Sequence, residues 1–208
     1  MKTVILLFTS SILMLTLVSC TENNSSSNTE NTGTQTTEPA DSPTPSEDYI
    51  ALGKEIAQGT FKALSGKLKS QIIEGGVEQA LPFCNNKAIP LTDSLSAVYN
   101  AKIERVAVNY RNPKNKALDY DSNVYMEYEG QLSDGKMVKP KLHTTESGQT
   151  VFYAPIILKG QCVVCHGEPI TEITESTLAK INELYPEDNA TGFVEGDLRG
   201  LWKITFNN

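Results

Sequence analysis

The spacing of apolar residues changes along this chain, and each change marks a different kind of segment. A mainly apolar run without charges, Val4 to Leu17, follows Lys2, and residues 21 to 47 then carry almost nothing that could be buried. From Leu52 the spacing becomes helical. Leu52, Ile56, Leu64, Leu68 and Ile72 fall on one face with Phe61 beside them, and Gly75-Gly76 supplies a stop. Val77, Leu81, Cys84 and Ala88 share a face of a second, shorter helix, which Pro82 must kink or shift and which Pro90 closes. Residues 103 to 108 alternate as a strand. Pro113 then forces an extended Asn112, and Asn115 caps a helix running through about Tyr128. Hairpin-like turns at Ser133-Asp134-Gly135-Lys136 and Glu146-Ser147-Gly148-Gln149 bound a short strand near 136 to 143 and a stronger one, Thr150 to Leu158. Thr174 or Ser176 caps a helix ending at Leu184-Tyr185, with Pro186 just past it, and Leu201 to Phe206 is a last strand. Helices first and hairpin-linked strands later predict an α+β domain with one antiparallel sheet.

The N-terminal run has the charge and length of a secretory signal and is short for a membrane span. It ends in Leu17-Val18-Ser19-Cys20, which resembles a bacterial lipobox, with Cys20 as the lipidated first residue of the mature protein. The expected organisation is therefore a signal peptide over 1–19, a disordered tether over 20–47 and one domain over 48–208, held outside the cytoplasm on a bacterial membrane by its lipid. The domain is long enough for a core of ordinary size. The net charge of −7 argues against a nucleic-acid partner and against an electrostatic grip on anionic lipid.

The strand ending at Leu158 leads to Cys162-Val163-Val164-Cys165-His166-Gly167. Cys-x-x-Cys-His is the attachment signature of a c-type haem. Two residues between the thiols in a helical turn bring both sulfurs to one porphyrin edge, and the following imidazole can bind the iron. A zinc site would need a second Cys/His pair, and a thioredoxin-like pair belongs to a βαβ unit; the sequence offers neither. Haem c, bound covalently through Cys162 and Cys165 with His166 on the iron, is the cofactor expected.

Cys84 is then unexplained, since Cys20 takes lipid and Cys162 and Cys165 take haem. It is either a small buried hydrophobe or the second axial ligand. His143, Met126 and Met137 compete for that role, and haem chemistry in general favours His or Met over Cys. Arg111 and Arg199 are candidate partners of the haem propionates because a guanidinium fork matches a carboxylate, although an exposed Arg at a turn is the commoner case. Tyr153 could donate to a propionate or simply pack. Asn112 and Asn115 read as turn and cap residues, and Val163, Val164, Ile156 and Leu158 as walls of the porphyrin site.

Seven motifs occur in series: Phe83-Cys84-Asn85, Pro90-Leu91-Thr92, Arg111-Asn112-Pro113-x-Asn115, Tyr153-Ala154-Pro155-Ile156, the Cys162 to Gly167 motif, Tyr185-Pro186-x-Asp188-x-Ala190-x-Gly192, and Gly196-Asp197-Leu198-Arg199-Gly200. Together they resemble the Tll-like family of PAS-like c-type haem domains, catalogued as a domain of unknown function. The resemblance implies a PAS-like sheet and helices enclosing the haem. It also implies axial ligation by the motif histidine, here His166, and by the Cys of Phe-Cys-Asn, here Cys84.

The functions expected are electron transfer or redox sensing, without substrate chemistry and through an unknown redox or signalling partner. A thiolate on the iron favours the ferric state. Its release on reduction would open the site to small gas ligands such as carbon monoxide or nitric oxide, the basis of an alternative reading as a gas sensor. A peroxidase-type enzyme would need an open distal position and an acid/base residue, for which His143 is the one candidate.

Overall fold

The computed structural model describes residues 45–207. The expected signal peptide, the expected lipidation at Cys20 and the expected tether up to residue 44 lie outside the described residues. The first helix, α1, spans Pro45–Asn86 in two arms that meet at Gly75-Gly76. Its first turn thus takes in 45–47, which the sequence assigned to the tether. Gly76 has φ 83° and ψ −178°, a region essentially confined to glycine. The predicted stop is therefore a joint between two helical arms. Pro82 lies within the second arm at helical dihedrals, and the break falls on the glycine pair. Gly76→Ala should lower stability by roughly 1–3 kcal/mol, from strain alone, because no neighbour crowds the new methyl closely. A denaturant titration of the two proteins checks this.

Helix α2, Ala88–Tyr99, was not anticipated. Pro90 was read as closing a helix, but it sits in the first turn of this one, where its missing N–H would have had no helical partner. The i, i+4 series Leu91, Leu95, Tyr99 packs against the main core and was the overlooked signal. Strand β1 is Ala101–Val106. After it, Asn112 accepts from the Lys114 N–H and opens a 3₁₀ turn at Pro113–Asn115, so Asn115 does not cap the next helix. That helix, α3, runs from Asp119–Ser133. Strands β2 (Lys141–Thr144) and β3 (Thr150–Ile157) form a hairpin around the expected turn at 146–149, but β2 starts later than the 136 expected and Ser133-Asp134 ends α3 instead of forming a hairpin turn. A 3₁₀ turn at Gly160–Cys162 leads into the one-turn helix α4, Val163–His166. Helix α5, Glu175–Leu184, is capped by Thr174 as expected, and β4, Leu198–Phe206, closes the chain.

The fold class is the α+β arrangement expected, with one antiparallel sheet in the order β1-β4-β3-β2. Because strand side chains alternate, the sheet has two unlike faces. Ala101, Ile103, Phe152, Ala154, Trp202 and Ile204 meet Ile56, Ala57 and Leu64 of α1 and Ala88 of α2. Val106, Val151, Tyr153 and Leu201 meet Val124, Tyr125 and Tyr128 of α3 on the other face. A separate cluster, Leu81, Ile173 and Ile181, joins the second arm of α1 to α5. Among the described residues, no helix is long and apolar enough to cross a membrane.

Candidate functional site

A cavity of about 560 Å³ lies between α1, the near face of the sheet and the segment that follows β3. This is the size range of small-molecule and cofactor sites. Apolar walls come from Phe61, Leu64 and Leu68 of the first arm of α1, from Phe83, and from Ile156, Leu158 and Trp202. The exposure of Phe61, 43%, is thus exposure into a cavity wall on a helix otherwise facing core and solvent. Cys84, Cys162 and His166 all line this one space, although Cys84 is 78 and 82 residues from the other two in the chain.

Cys84 is presented by the second arm of α1, which is held to α5 at both ends. Glu78 accepts from the hydroxyls of Ser176 (2.6 Å) and Thr177 (2.9 Å), and the Asn85 amide donates to the Leu184 carbonyl at 3.0 Å. In the Phe-Cys-Asn motif, Phe83 therefore walls the cavity, Cys84 faces it and Asn85 ties it down. Cys84 is not in a disulfide, and burial pushes its thiol pKa up, partly offset by Arg105 and Arg111.

The Cys162 to Gly167 motif is fixed by its neighbours in space. Phe193 N–H donates to the His166 carbonyl (2.9 Å) and Gly192 N–H to that of Gly167 (2.8 Å). His166 Nδ1 lies 2.8 Å from the Ala190 carbonyl. The tautomer that donates this bond leaves Nε2 bare, the state in which an imidazole coordinates metal. Arg199 Nε is 3.3 Å from the same Nδ1, but one nitrogen cannot donate and accept together, so the shorter Ala190 bond takes the proton. Burial first, then the charges of Arg199 and Arg111, hold His166 well below the usual histidine range and hence neutral. Cys162 lines the cavity. Cys165, three residues on, packs beside the Leu81, Ile173 and Ile181 cluster and is not among the cavity-lining residues, with its thiol pushed up to about 11 by burial. Val163 packs with the Leu158, Ala190 and Phe193 cluster and Val164 is partly exposed. Of the four residues expected to wall the site, Ile156 and Leu158 therefore do.

The two arginines named from sequence have different duties. Arg111 is 8% exposed. Nε and Nη2 bind Asp188 at 3.1 and 3.0 Å, and Nη2 also donates to the carbonyls of Cys165 (2.7 Å) and Ala190 (3.1 Å). It is a bracket that joins its own motif to the Cys162 and Tyr185 motifs, while also touching the cavity. Arg199 lines the cavity and gives Nη1 to the Asn109 carbonyl at 3.0 Å. Burial and the Arg111 charge push it down to about 10, so it remains cationic at neutral pH.

Tyr153 must be corrected as a propionate contact. It alternates with Ala154 and so points to the far face of the sheet, where its hydroxyl donates to Asp121 (2.7 Å), itself paired with Lys203. The competing axial ligands are likewise elsewhere. His143 stacks on Tyr120 with ring centroids 3.8 Å apart, and Met126 and Met137 are 56% and 83% exposed, with none of the three lining the cavity.

Sequence reading passed over Arg105, taking 103–108 only as a strand. It lines the cavity, and the missed signal was a charge on the same strand face as Ala101 and Ile103. Lys54, Lys159, Arg105, Arg111 and Arg199 all border the space, and no Asp or Glu does. A cationic, mainly apolar cavity in a chain of net charge −7 suits an apolar body bearing carboxylates. Among the described residues, no three His, Cys, Asp or Glu side chains converge as a metal cage. These donors could hold a metal whose other ligands come from a macrocycle, and they do not form a zinc site.

The crystal structure of the cyanobacterial haem-protein Tll0287 is similar in fold, at TM-score 0.57 and 20% identity, covering 80% of this chain and 98% of that one. No curated protein matches the chain. The family model described as Tll0287-like matches residues 11–207, a span that holds all seven motifs and every element of the cavity, and on that match the chain belongs to the Tll0287-like family.

Proposed function

We propose that this protein binds haem covalently through Cys162 and Cys165, with His166 and Cys84 as its axial ligands, and works in electron transfer or redox sensing. The observation that carries this reading is the convergence of Cys84, Cys162 and a neutral His166 on one apolar, cationic cavity. The haem-protein Tll0287, alike in fold, adds support. When bound, the group supplies one-electron exchange at its iron. His166 is oriented for coordination by its bond to Ala190. Thioether formation requires Cys165 to turn its thiol from the Leu81 cluster toward the cavity. Cys84 and His166 together would leave no open axial position, and the one sequence candidate for an acid/base, His143, stacks on Tyr120 away from the cavity. We therefore assign no substrate chemistry. Lipidation at Cys20 would hold the domain at an extracytoplasmic membrane surface within reach of a redox or signalling partner.

The test is expression of the full chain with its own export signal in a host that matures c-type cytochromes, followed by acid-acetone extraction. Haem should remain on the chain, and the Cys162→Ser, Cys165→Ser double variant should release it. Release from the unaltered protein, or zinc in place of iron, would overturn the reading.

A gas-sensing role is a second reading. It is favoured by the mounting of Cys84 on an arm joined to the rest of α1 only through Gly75-Gly76. It requires the reduced protein to bind carbon monoxide; a reduced spectrum indifferent to carbon monoxide would reject it in favour of electron transfer.

A further inference from the structure

We propose that Arg105 is the residue that pairs with a haem carboxylate, an assignment that rests on the haem reading above. Arg105 stands in β1 opposite Trp202 of β4, on the strand face that carries Ala101 and Ile103, and it lines the cavity with Trp202 and Gly200. Gly200 is needed there because a Cβ would sit 2.8 Å from the Val106 carbonyl oxygen, so β1 and β4 can keep this spacing only around a glycine.

The other cations on the cavity differ from Arg105 in their commitments. Arg111 is held by Asp188 and two carbonyls, and Arg199 by the Asn109 carbonyl. Lys54 and Lys159 are exposed, and the Lys159 ammonium rests over the Phe61 ring. The Arg105 guanidinium has no hydrogen bond and no ion pair with any described residue, and no carboxylate borders the cavity it faces.

A guanidinium taken from water without a counter-charge is costly, and it stays in place when a ligand brings the anion. A haem carries two carboxylates, and the planar fork of Arg105 offers parallel donors to one of them. The tie to Cys165 and Asp188 makes Arg111 structural, and Arg105 takes the binding role.

The experiment compares the resonance Raman spectra of the haem-loaded full chain, Arg105→Gln and Arg105→Lys, in the region of the haem propionate bending modes. The expected result is a shift of one propionate band in Arg105→Gln and a smaller one in Arg105→Lys, with the ferric electron paramagnetic resonance signal retained. Propionate bands that coincide with those of the unaltered protein in both variants overturn the proposal. Unmoved bands with a changed paramagnetic signal would instead make Arg105 a partner of Cys84. If the Gln variant fails to accumulate, the Lys variant decides on the same bands, since it keeps the charge and loses only the fork. Haem staining of the same samples separates the two levels: an unaltered chain without covalent haem defeats the proposed function, whereas a loaded chain with unmoved bands defeats this assignment alone.

Discussion

Replacing Cys84 by Ala should raise the reduction potential of the haem-loaded protein and abolish the thiolate signature in its ferric electron paramagnetic resonance spectrum, while covalent attachment persists. A thiolate places a full negative charge beside the iron and so favours the ferric state. One unit charge at about 4 Å in an effective dielectric of about 20 is worth about 4 kcal/mol, on the order of 100 to 200 mV for one electron. No described residue stands ready to replace Cys84, because His143, Met126 and Met137 all lie off the cavity. Attachment is unaffected because Cys162 and Cys165 belong to a different segment, tied by Arg111 and the Gly192 backbone rather than by the arm that bears Cys84. Redox titration and the paramagnetic spectrum of the variant check this. An unchanged spectrum would reject Cys84 as the ligand.

Arg111→Met should be the most destabilising single change at the site. It leaves the Asp188 carboxylate, 5% exposed at its side chain, without its counter-charge, and it deprives the carbonyls of Cys165 and Ala190 of a donor. Breaking a buried pair from one side costs roughly 3–5 kcal/mol, because the remaining charge cannot be rehydrated in place. For a domain of this size the loss should appear as a fall in melting temperature on the order of 10 °C. The Arg111→Met, Asp188→Leu double variant should recover part of it, since neither charge is then stranded. Thermal unfolding of the three variants measures the coupling. A double variant no better than Arg111→Met would place the loss in the carbonyl contacts. The yield of covalent haem should fall with Arg111→Met as well, since the Cys165 carbonyl belongs to the attachment motif.

Elements whose signals are local were readable from the sequence. The strand expected from Thr150 is β3, Thr174 caps α5, and Gly75-Gly76 interrupts α1. Elements that share residues with a neighbour were misread. Asn115 resembles a helix cap, but its carbonyl accepts from Ala107 N–H, and the Asn112 turn uses up the segment before α3 begins at Asp119. Pro90 resembles a terminator because a proline alone does not reveal whether it lies in the last turn of one helix or the first of the next. Strand β4 starts at Leu198, earlier than its apolar run, because pairing with β3 stabilises residues that lack strand character of their own.

By itself the sequence determined the chemistry on offer and the class of fold. The Cys162, Cys165, His166 spacing lies within one helical turn, and the change from helical to alternating periodicity specifies α+β. The tertiary structure decided which residues share the site. It brought Cys84 to the cavity with His166 and left His143, Met126 and Met137 outside it. It turned Tyr153 to the far face through the two-residue period of β3, made Arg111 a bracket by placing Asp188 beside it, and left Arg105 facing the cavity without a partner. The physical reason is range. Helical periodicity, capping and attachment spacing are set over a few residues. The strand order β1-β4-β3-β2 and the bonds from Asn85 to Leu184 and from Arg111 to Asp188 span 77 to 99 residues or depend on strands distant in sequence, and they form only when the core closes.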